Sequence, residues 1–558
     1  MKKKHILCAA AALVCWLVTF YTDTKIFTGE PLNMNCLPID TRMAPVMHLL
    51  TKCLVLLVLF GIAEFLTYAW RHKKTLLLPF GVFFLVYGIG LLITYPGYFM
   101  SDDPILFGYA TRYYPVYWHH YLTSLYYMVG MSLLPASAGP VFLNDLSYAL
   151  VYAYIFHRGC ERYQTKGKWV LALLACMPAT LLGALMCFRP ALYAPFFVLY
   201  FAVLFFDYKG HAALGRGKLF LLLLLTVVLC QWRSEGLVLV VFAPFLLCIA
   251  YRKSPFEKQN GKRRLNRKRT GRMLAGAGVF LVLYIVINLP QSIGMDTYYG
   301  SDYLIISTTR PLSVIVHREQ TYEGAEEDLA NISAVTEYGY LHNDSLSCSA
   351  YNRYNTDHNE GRYTQTGTDA QTQKAYLRSA ARLLLHNLDL YFGERVQLFL
   401  VTNGFFYYPG ELVLNLKPVV ATDFHLYEHD RDYGFEMLEA YKRVPLYADE
   451  TYAMFLFDFG GEAYIPCLLL ALVLLTGSLI KRKWLWTTAL LSLFAREAVI
   501  FLSAPASFIQ YSYPMMFATL FLAMLALLEW LDERRLRSFT FDMSRYILFR
   551  TETDEPEG

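Results

Sequence analysis

Residues 47–94 read MHLLTKCLVLLVLFGIAEFLTYAWRHKKTLLLPFGVFFLVYGIGLLIT. Two apolar runs, 47–70 and 75–94, flank the basic group Arg71-His72-Lys73-Lys74. A helix rises about 1.5 Å per residue, so each run is long enough to cross about 30 Å of hydrocarbon. A helix also satisfies its own backbone polar groups, which lipid cannot do. Lys and Arg are retained on the cytoplasmic side, so the pair reads as a membrane hairpin turned in the cytoplasm.

The same pattern extends along the chain. Further spans are expected at 5–21, 140–157, 169–186, 191–206, 218–232, 237–251, 273–290, 463–480, 484–503 and 509–531. This is an all-α polytopic membrane protein with about 12 transmembrane helices. Basic clusters fall on alternate gaps: Lys2 to Lys4, Arg71 to Lys74, Arg158 to Lys168, Lys209 to Lys218, the 252–272 loop, Lys481 to Lys483, and Arg534 to Arg537. Both termini are then cytoplasmic and the number of spans is even. The weaker stretch 121–134 reads as interfacial. No small-x-small site follows the first span, which reads as an uncleaved anchor.

Composition agrees. Of 558 residues 56% are hydrophobic and only 17% charged, against about 45–50% and about 25% in soluble domains. A set of soluble domains is thereby excluded. Tyr gathers at membrane interfaces because its ring is apolar and its hydroxyl is not, and the chain holds 43 of them. The basic loop reads as a topology signal, with no nucleic-acid partner. Most of the cysteines lie in apolar runs and no CxxC spacing occurs; Cys36 and Cys348, in polar gaps, are the pair open to a disulfide. The chain divides into an N-terminal transmembrane module (1–290), an extracytoplasmic region (291–462), C-terminal membrane helices (463–531) and a cytoplasmic tail (532–558). Segment 372–403 reads as a helix pair. Asn331 and Asn343 open Asn-x-Ser sequons, and 405–410 is an aromatic run at the interface.

Chemistry concentrates at outward ends. After Pro96-Gly97 stops the third span comes Ser101-Asp102-Asp103-Pro104. Adjacent carboxylates repel, which suits one to take a proton from a hydroxyl, or the pair to hold a divalent cation. The same residues suit a helix cap followed by Pro in the first turn. Next comes Tyr113-Tyr114-Pro115-Val116-Tyr117-Trp118-His119-His120, either rings and imidazoles for a sugar phosphate or an interfacial aromatic belt. Arg189, the pair Arg233 and Glu235, and the pair Arg496 and Glu497 lie at or inside outward span ends. An ionisable side chain is costly in hydrocarbon and faces a partner or a polar site. Guanidinium suits phosphate by its forked donors, and an ion pair with a neighbouring acid is the other reading.

This combination resembles the GT-C superfamily of membrane glycosyltransferases, in particular bacterial GT-C-like proteins akin to the dolichyl-phosphate-mannose-protein mannosyltransferases. Pro96, Gly97, Ser101 and Asp102 match that family's first outer loop, and Tyr114-Pro115 with His119-His120 match it loosely. Phe188-Arg189-Pro190 stands where the family has a Lys-Asp motif, and Tyr511-Ser512-Tyr513-Pro514 resembles its Arg-Tyr-x-x-Pro entry to the last helix without the Arg. The resemblance implies a GT-C-like bundle whose early outer loop carries interfacial helices. It implies transfer of a sugar from a polyprenyl-phosphate donor to a glycan, lipid or protein of the cell envelope, with inversion, at the outer face of a bacterial plasma membrane. Asp102, with Asp103, is the expected catalytic base. His119, His120, Arg189, Arg233, Glu235, Arg496 and Tyr511 are the expected substrate contacts. No metal ligand is assigned, and the only cofactor in view is a divalent cation at Asp102 and Asp103. Two other readings stand beside it. An envelope polysaccharide polymerase or ligase fits the long late loop. A transporter or flippase for a lipid-linked substrate needs polar groups at mid-membrane depth, where Glu64 and Arg496 are the main examples, and the chain has no internal repeat.

Overall fold

The computed structural model describes residues 2–27, 38–98, 103–164, 166–252, 256–259, 262–265, 267–336, 369–402, 464–504 and 511–550. Asp102, Cys36, Cys348, Asn343 and the 405–410 run lie outside the described residues.

Every expected span falls on a helix, or on the bent pair α7 and α8. In chain order these are α1 (Lys2–Ile26), α2 (Ala44–Arg71), α3 (Leu78–Ile93), α4 (Asp103–Ala110), α5 (Tyr121–Leu133), α6 (Gly139–Arg162), α7 (Val170–Cys176), α8 (Pro178–Ala184), α9 (Arg189–Lys209), α10 (Arg216–Trp232), α11 (Val238–Ala250) and α12 (Arg267–Tyr298). A short antiparallel hairpin, β1 (Phe256–Gln259) with β2 (Lys262–Leu265), lies in the basic loop before α12. Then follow α13 (Asp302–Ile315), α14 (Ala325–Ser333), α15 (Ala370–His386), α16 (Leu388–Thr402), α17 (Tyr464–Ile480), α18 (Trp484–Ser503) and α19 (Tyr513–Arg550).

Among the described residues, 7 helices are long and apolar enough to cross a membrane, or 8 if one bent pair is a single span. The expectation of about twelve includes four more helices. The difference lies in α6, α10, α11 and α17. The last three are short, and α6 carries Asn144, Asp145, Ser147 and His157 among its apolar residues. The expected span 169–186 is the bent pair. The helix axes of 167–176 and 178–184 meet at 47°. Pro178 has no amide hydrogen to continue the ladder, so the helix breaks before it. The carbonyls freed at the end of α8 are met from α6. Asn144 Nδ2 donates to Gly183 O (2.7 Å), Ala184 O (3.1 Å) and Met186 O (2.7 Å).

Burial sorts the helices. α9 and α6 are enclosed, with Tyr193, Tyr200, Tyr148 and Tyr152 at 2% exposure or less. α1, α2 and α12 form a periphery that leaves Leu49, Leu57, Leu281, Val282, Ile285 and Val286 open. A water-soluble surface does not carry apolar faces of this extent, and lipid covers them without penalty. Polar pairs interrupt the periphery: Lys52, 2% exposed, donates to Asp23 Oδ1 (2.6 Å) and Thr19 O (2.9 Å), and His5 pairs with Glu64 (2.6 Å).

α13 to α16 make a separate helical unit around Ile305, Leu312, Ile315, Ile332, Tyr376 and Leu383. The helix pair expected at 372–403 is α15 and α16. Asp369 caps α15, accepting from the amides of Gln371 (2.8 Å) and Thr372 (2.9 Å).

α9 runs through the bundle as an axis. Arg189 is its first residue, and Asp207 lies about 27 Å further along it at 1.5 Å per residue. At the Asp207 end, donors converge on that carboxylate: Arg158 Nη2 (3.2 Å), Lys218 Nζ (3.0 Å) and the Tyr251 hydroxyl (2.6 Å). The candidate site lies at the Arg189 end.

Candidate functional site

α10 ends at Trp232, and a tight turn, Ser234–Leu237, leads into α11. Gly236 is required there. A Cβ on it would meet Leu229 O at 2.0 Å. The turn folds Arg233 back onto Glu235, whose Oε1 accepts from its Nε. The same Oε1 accepts from Arg496 Nη2 of α18 at 2.7 Å. Arg496 Nη1 donates to Glu497 Oε1 (3.1 Å), and Nη2 also donates to the Tyr511 carbonyl (2.7 Å). Ser512 Oγ donates to Glu497 Oε2 at 3.0 Å, and the Arg233 guanidinium lies 5.9 Å from the Tyr511 ring centre. Arg233, Glu235, Arg496 and Glu497 are all at most 4% exposed. Buried charges at this density hold only when paired and hydrogen-bonded. Arg496 thus has the ion pairs of its structural reading, and it ties α10, α18 and the start of α19 together.

Arg189 differs. It is half-buried and has no hydrogen bond or ion pair among the described residues. Its charge is nonetheless felt at Arg233, Glu235 and His120. Among the described residues three guanidiniums, Arg189, Arg233 and Arg496, act on Glu235, and Glu497 is the other carboxylate bonded to this group. Pro190 sets Arg189 at the opening of α9, where the helix dipole adds to the positive potential.

His120 completes this side. It caps α5, its Nδ1 accepting from the Leu122 amide at 3.3 Å. The neutral ring then carries its proton on Nε2, which is buried and without a partner. The residue is 6% exposed and held at φ 65°, in the left-handed region that non-glycine residues avoid. Burial, and then the charge of Arg189, push its imidazole down to about 3. Among the described residues the site therefore presents a charged donor and a neutral one without partners. Trp232 Nε1 binds the arginine turn to α5 through Thr123 Oγ1 (3.0 Å).

The first loop reaches this place because it is pinned. Gly97 has φ 107° and lies against Val141 and the Leu185 carbonyl, where any side chain would collide. Tyr98 then donates its amide to Leu185 O (2.9 Å) and bridges to Met186. α4 opens at Asp103, as the Asp-Pro sequence predicts. Asp103 is 1% exposed and lies beside Tyr127 and Cys187. The aromatic stretch is mostly a fastening. Tyr113 donates to Asp23 (3.1 Å) and Tyr117 to Asp40 (2.8 Å), and Trp118 packs on Tyr299. His119 is half-buried, and its carbonyl accepts from Thr123.

Of the expected site residues, His120, Arg189, Arg233, Glu235, Arg496 and Tyr511 come together. Asp103 opens α4, beside Tyr127 and Cys187, and Asp102 lies outside the described residues. Sequence reasoning missed Ser512, which anchors Glu497, and the polar pair Asn144-Asp145 inside an otherwise apolar run. The cost of such groups in hydrocarbon was the available signal. Among the described residues, no three His, Cys, Asp or Glu side chains converge as a metal set. Comparison with protein-family models, curated proteins and solved structures finds no match to this chain.

Proposed function

We propose that the protein is a membrane glycosyltransferase that moves a sugar from a polyprenyl-phosphate donor to a cell-envelope acceptor at the outer membrane face. The single observation behind this reading is that, among the described residues, neither Arg189 nor the buried Nε2 of His120, on which the charge of Arg189 acts, has a partner, while Arg233 and Arg496 are held by Glu235 and Glu497. A phosphate at a membrane surface satisfies both donors and the surplus charge. Arg233 and Arg496, held by Glu235 and Glu497, supply background potential and shape.

On this reading α6, α10, α11, α17 and the bent α7–α8 pair complete a GT-C-like bundle of about twelve membrane helices, with both termini in the cytoplasm of a bacterium. Asp103 is enclosed by Tyr127 and Cys187, which leaves Asp102 as the base. The acceptor oxygen attacks the anomeric carbon while the bond from that carbon to the phosphate oxygen breaks. The bonding pair leaves with the phosphate, the hydroxyl proton passes to Asp102, and the configuration inverts. Arg189 and His120 stabilise the departing charge. The purified chain in liposomes, given a labelled polyprenyl-phosphate sugar, tests this. Asp102→Asn is expected to stop transfer while lipid-phosphate binding persists. Undiminished transfer by that variant sinks the role of Asp102 and favours the polymerase or ligase reading.

One observation favours a transporter instead. Asp145 is 1% exposed within α6, and neither carboxylate oxygen has a hydrogen-bond partner among the described residues. Movement of lipid-linked substrate across sealed vesicles without any sugar transfer would decide for that reading.

A further inference from the structure

The last carbonyls of a helix have no partner within it. At the end of α18, which carries Arg496 and Glu497, two of them are met from α16 of the separate helical unit. The Tyr391 hydroxyl donates to Leu502 O at 2.9 Å, and Arg395 Nη1 donates to Ala504 O at 2.7 Å. A guanidinium at a helix C-terminus also complements the dipole. Arg395 is 0% exposed and is itself fixed. Its Nε donates to Glu394 Oε2 (2.5 Å), while Glu394 Oε1 accepts from Arg310 Nε of α13 (2.6 Å). Leu398 of α16 packs with Ile500 and Ala504, and Tyr511 lies against them. Tyr511 in turn gives its carbonyl to Arg496 and its ring to Arg233.

We infer that the helical unit sets the position of the arginine brace, and that Arg395 is the positioning residue through which it does so. The path is physically continuous: Arg310, Glu394, Arg395, the end of α18, Tyr511, Arg496 and Arg233. Whatever shifts α13 against α16, an acceptor seated on the unit included, then shifts the guanidiniums that hold the potential at Arg189. The consequence for substrate rests on the anion-binding reading above; the mechanical coupling does not.

The test uses the full chain in lipid nanodiscs with decaprenyl phosphate as probe. Arg395→Ala is expected to weaken probe binding roughly tenfold, within the usual range of coupling between sites. Arg395→Lys, which keeps a donor for Ala504 O, restores most of it. In an Arg496→Ala background the Arg395→Ala penalty disappears, since the brace it acts through is gone. An unchanged affinity in Arg395→Ala, or a penalty that persists undiminished without Arg496, overturns the inference. Where Arg395→Ala fails to fold, Tyr391→Phe removes one of the two tethers and is expected to weaken binding a few-fold; no change there is equally fatal. If the wild-type chain does not bind the probe, the proposed function fails instead. The coupling is then read from amide exchange at Tyr511 to Tyr513, which Arg395→Ala accelerates if the inference holds and leaves unaltered if it does not.

Discussion

The two ends of α9 solve the same problem differently. At one end Asp207 draws in Arg158, Lys218 and Tyr251, and Arg158 also binds Glu161. Cations and acids balance there, and every polar group of Asp207 has a neighbour. At the other end Arg233, Arg496, Glu235 and Glu497 form an equally tight set, but Arg189 is left over beside an unused imidazole N–H. Structure alone calls for balance, because an unpaired charge near hydrocarbon is costly. On the proposed function, the charge left over among the described residues is the place for an outside anion.

The comparison breaks most visibly at the balanced end. Asp207→Asn removes the acid that holds three donors and is expected to cost about 3 kcal/mol or more of stability, the range for orphaning a buried charge partner. Thermal unfolding in detergent reads the loss, and lipid-phosphate affinity of the folded fraction stays unchanged. At the site end, Glu235→Gln leaves Arg233 and Arg496 short of one carboxylate. Stability should fall by about 2 kcal/mol, while affinity for a phosphate rises with the extra positive charge. Equal or lower affinity would show that the cluster is structural only.

Arg189→Ala separates the two ends most sharply. Stability is expected to change by less than about 0.5 kcal/mol, as Arg189 makes no hydrogen bond or ion pair among the described residues. Lipid-phosphate binding should weaken by about 1.5–3 kcal/mol, the worth of a charge-assisted contact. Loss of stability with intact binding would place Arg189 on the structural side. A further effect is a pH dependence. The folded His120 imidazole stays neutral down to about 3, whereas an unfolded one protonates near 6.5. Between those values the unfolded chain binds more protons, so stability is full above about 6.5 and falls as pH drops toward 3. The wild-type chain should lose up to about 1.4 kcal/mol per pH unit more than His120→Gln in that window. Identical pH profiles for the two would mean that the ring is already charged.

The apolar segments were legible one by one. Their helical state follows from length and from the need of backbone groups in lipid to bond within the segment, so each of the twelve falls on helix or on the bent pair. The α15–α16 pair and the opening of α4 at Asp103-Pro104 were legible for similarly local reasons: a cap, a proline and an apolar stripe. Lys52 escaped notice because one lysine barely changes the hydropathy of the run around it, though its cost in hydrocarbon was there to be read.

The amino-acid order by itself determined where the helices form and that Arg189, Arg233 and Arg496 are too expensive to lie idle near lipid. Only the tertiary structure decided which of them is spent. Arg496 finds Glu235 across 261 positions of sequence, and no local pattern encodes a partner that distant. Whether a guanidinium is a brace or a free donor depends on which acid the packing of α10, α18 and α19 brings within 3 Å of it. That is a property of the assembled bundle.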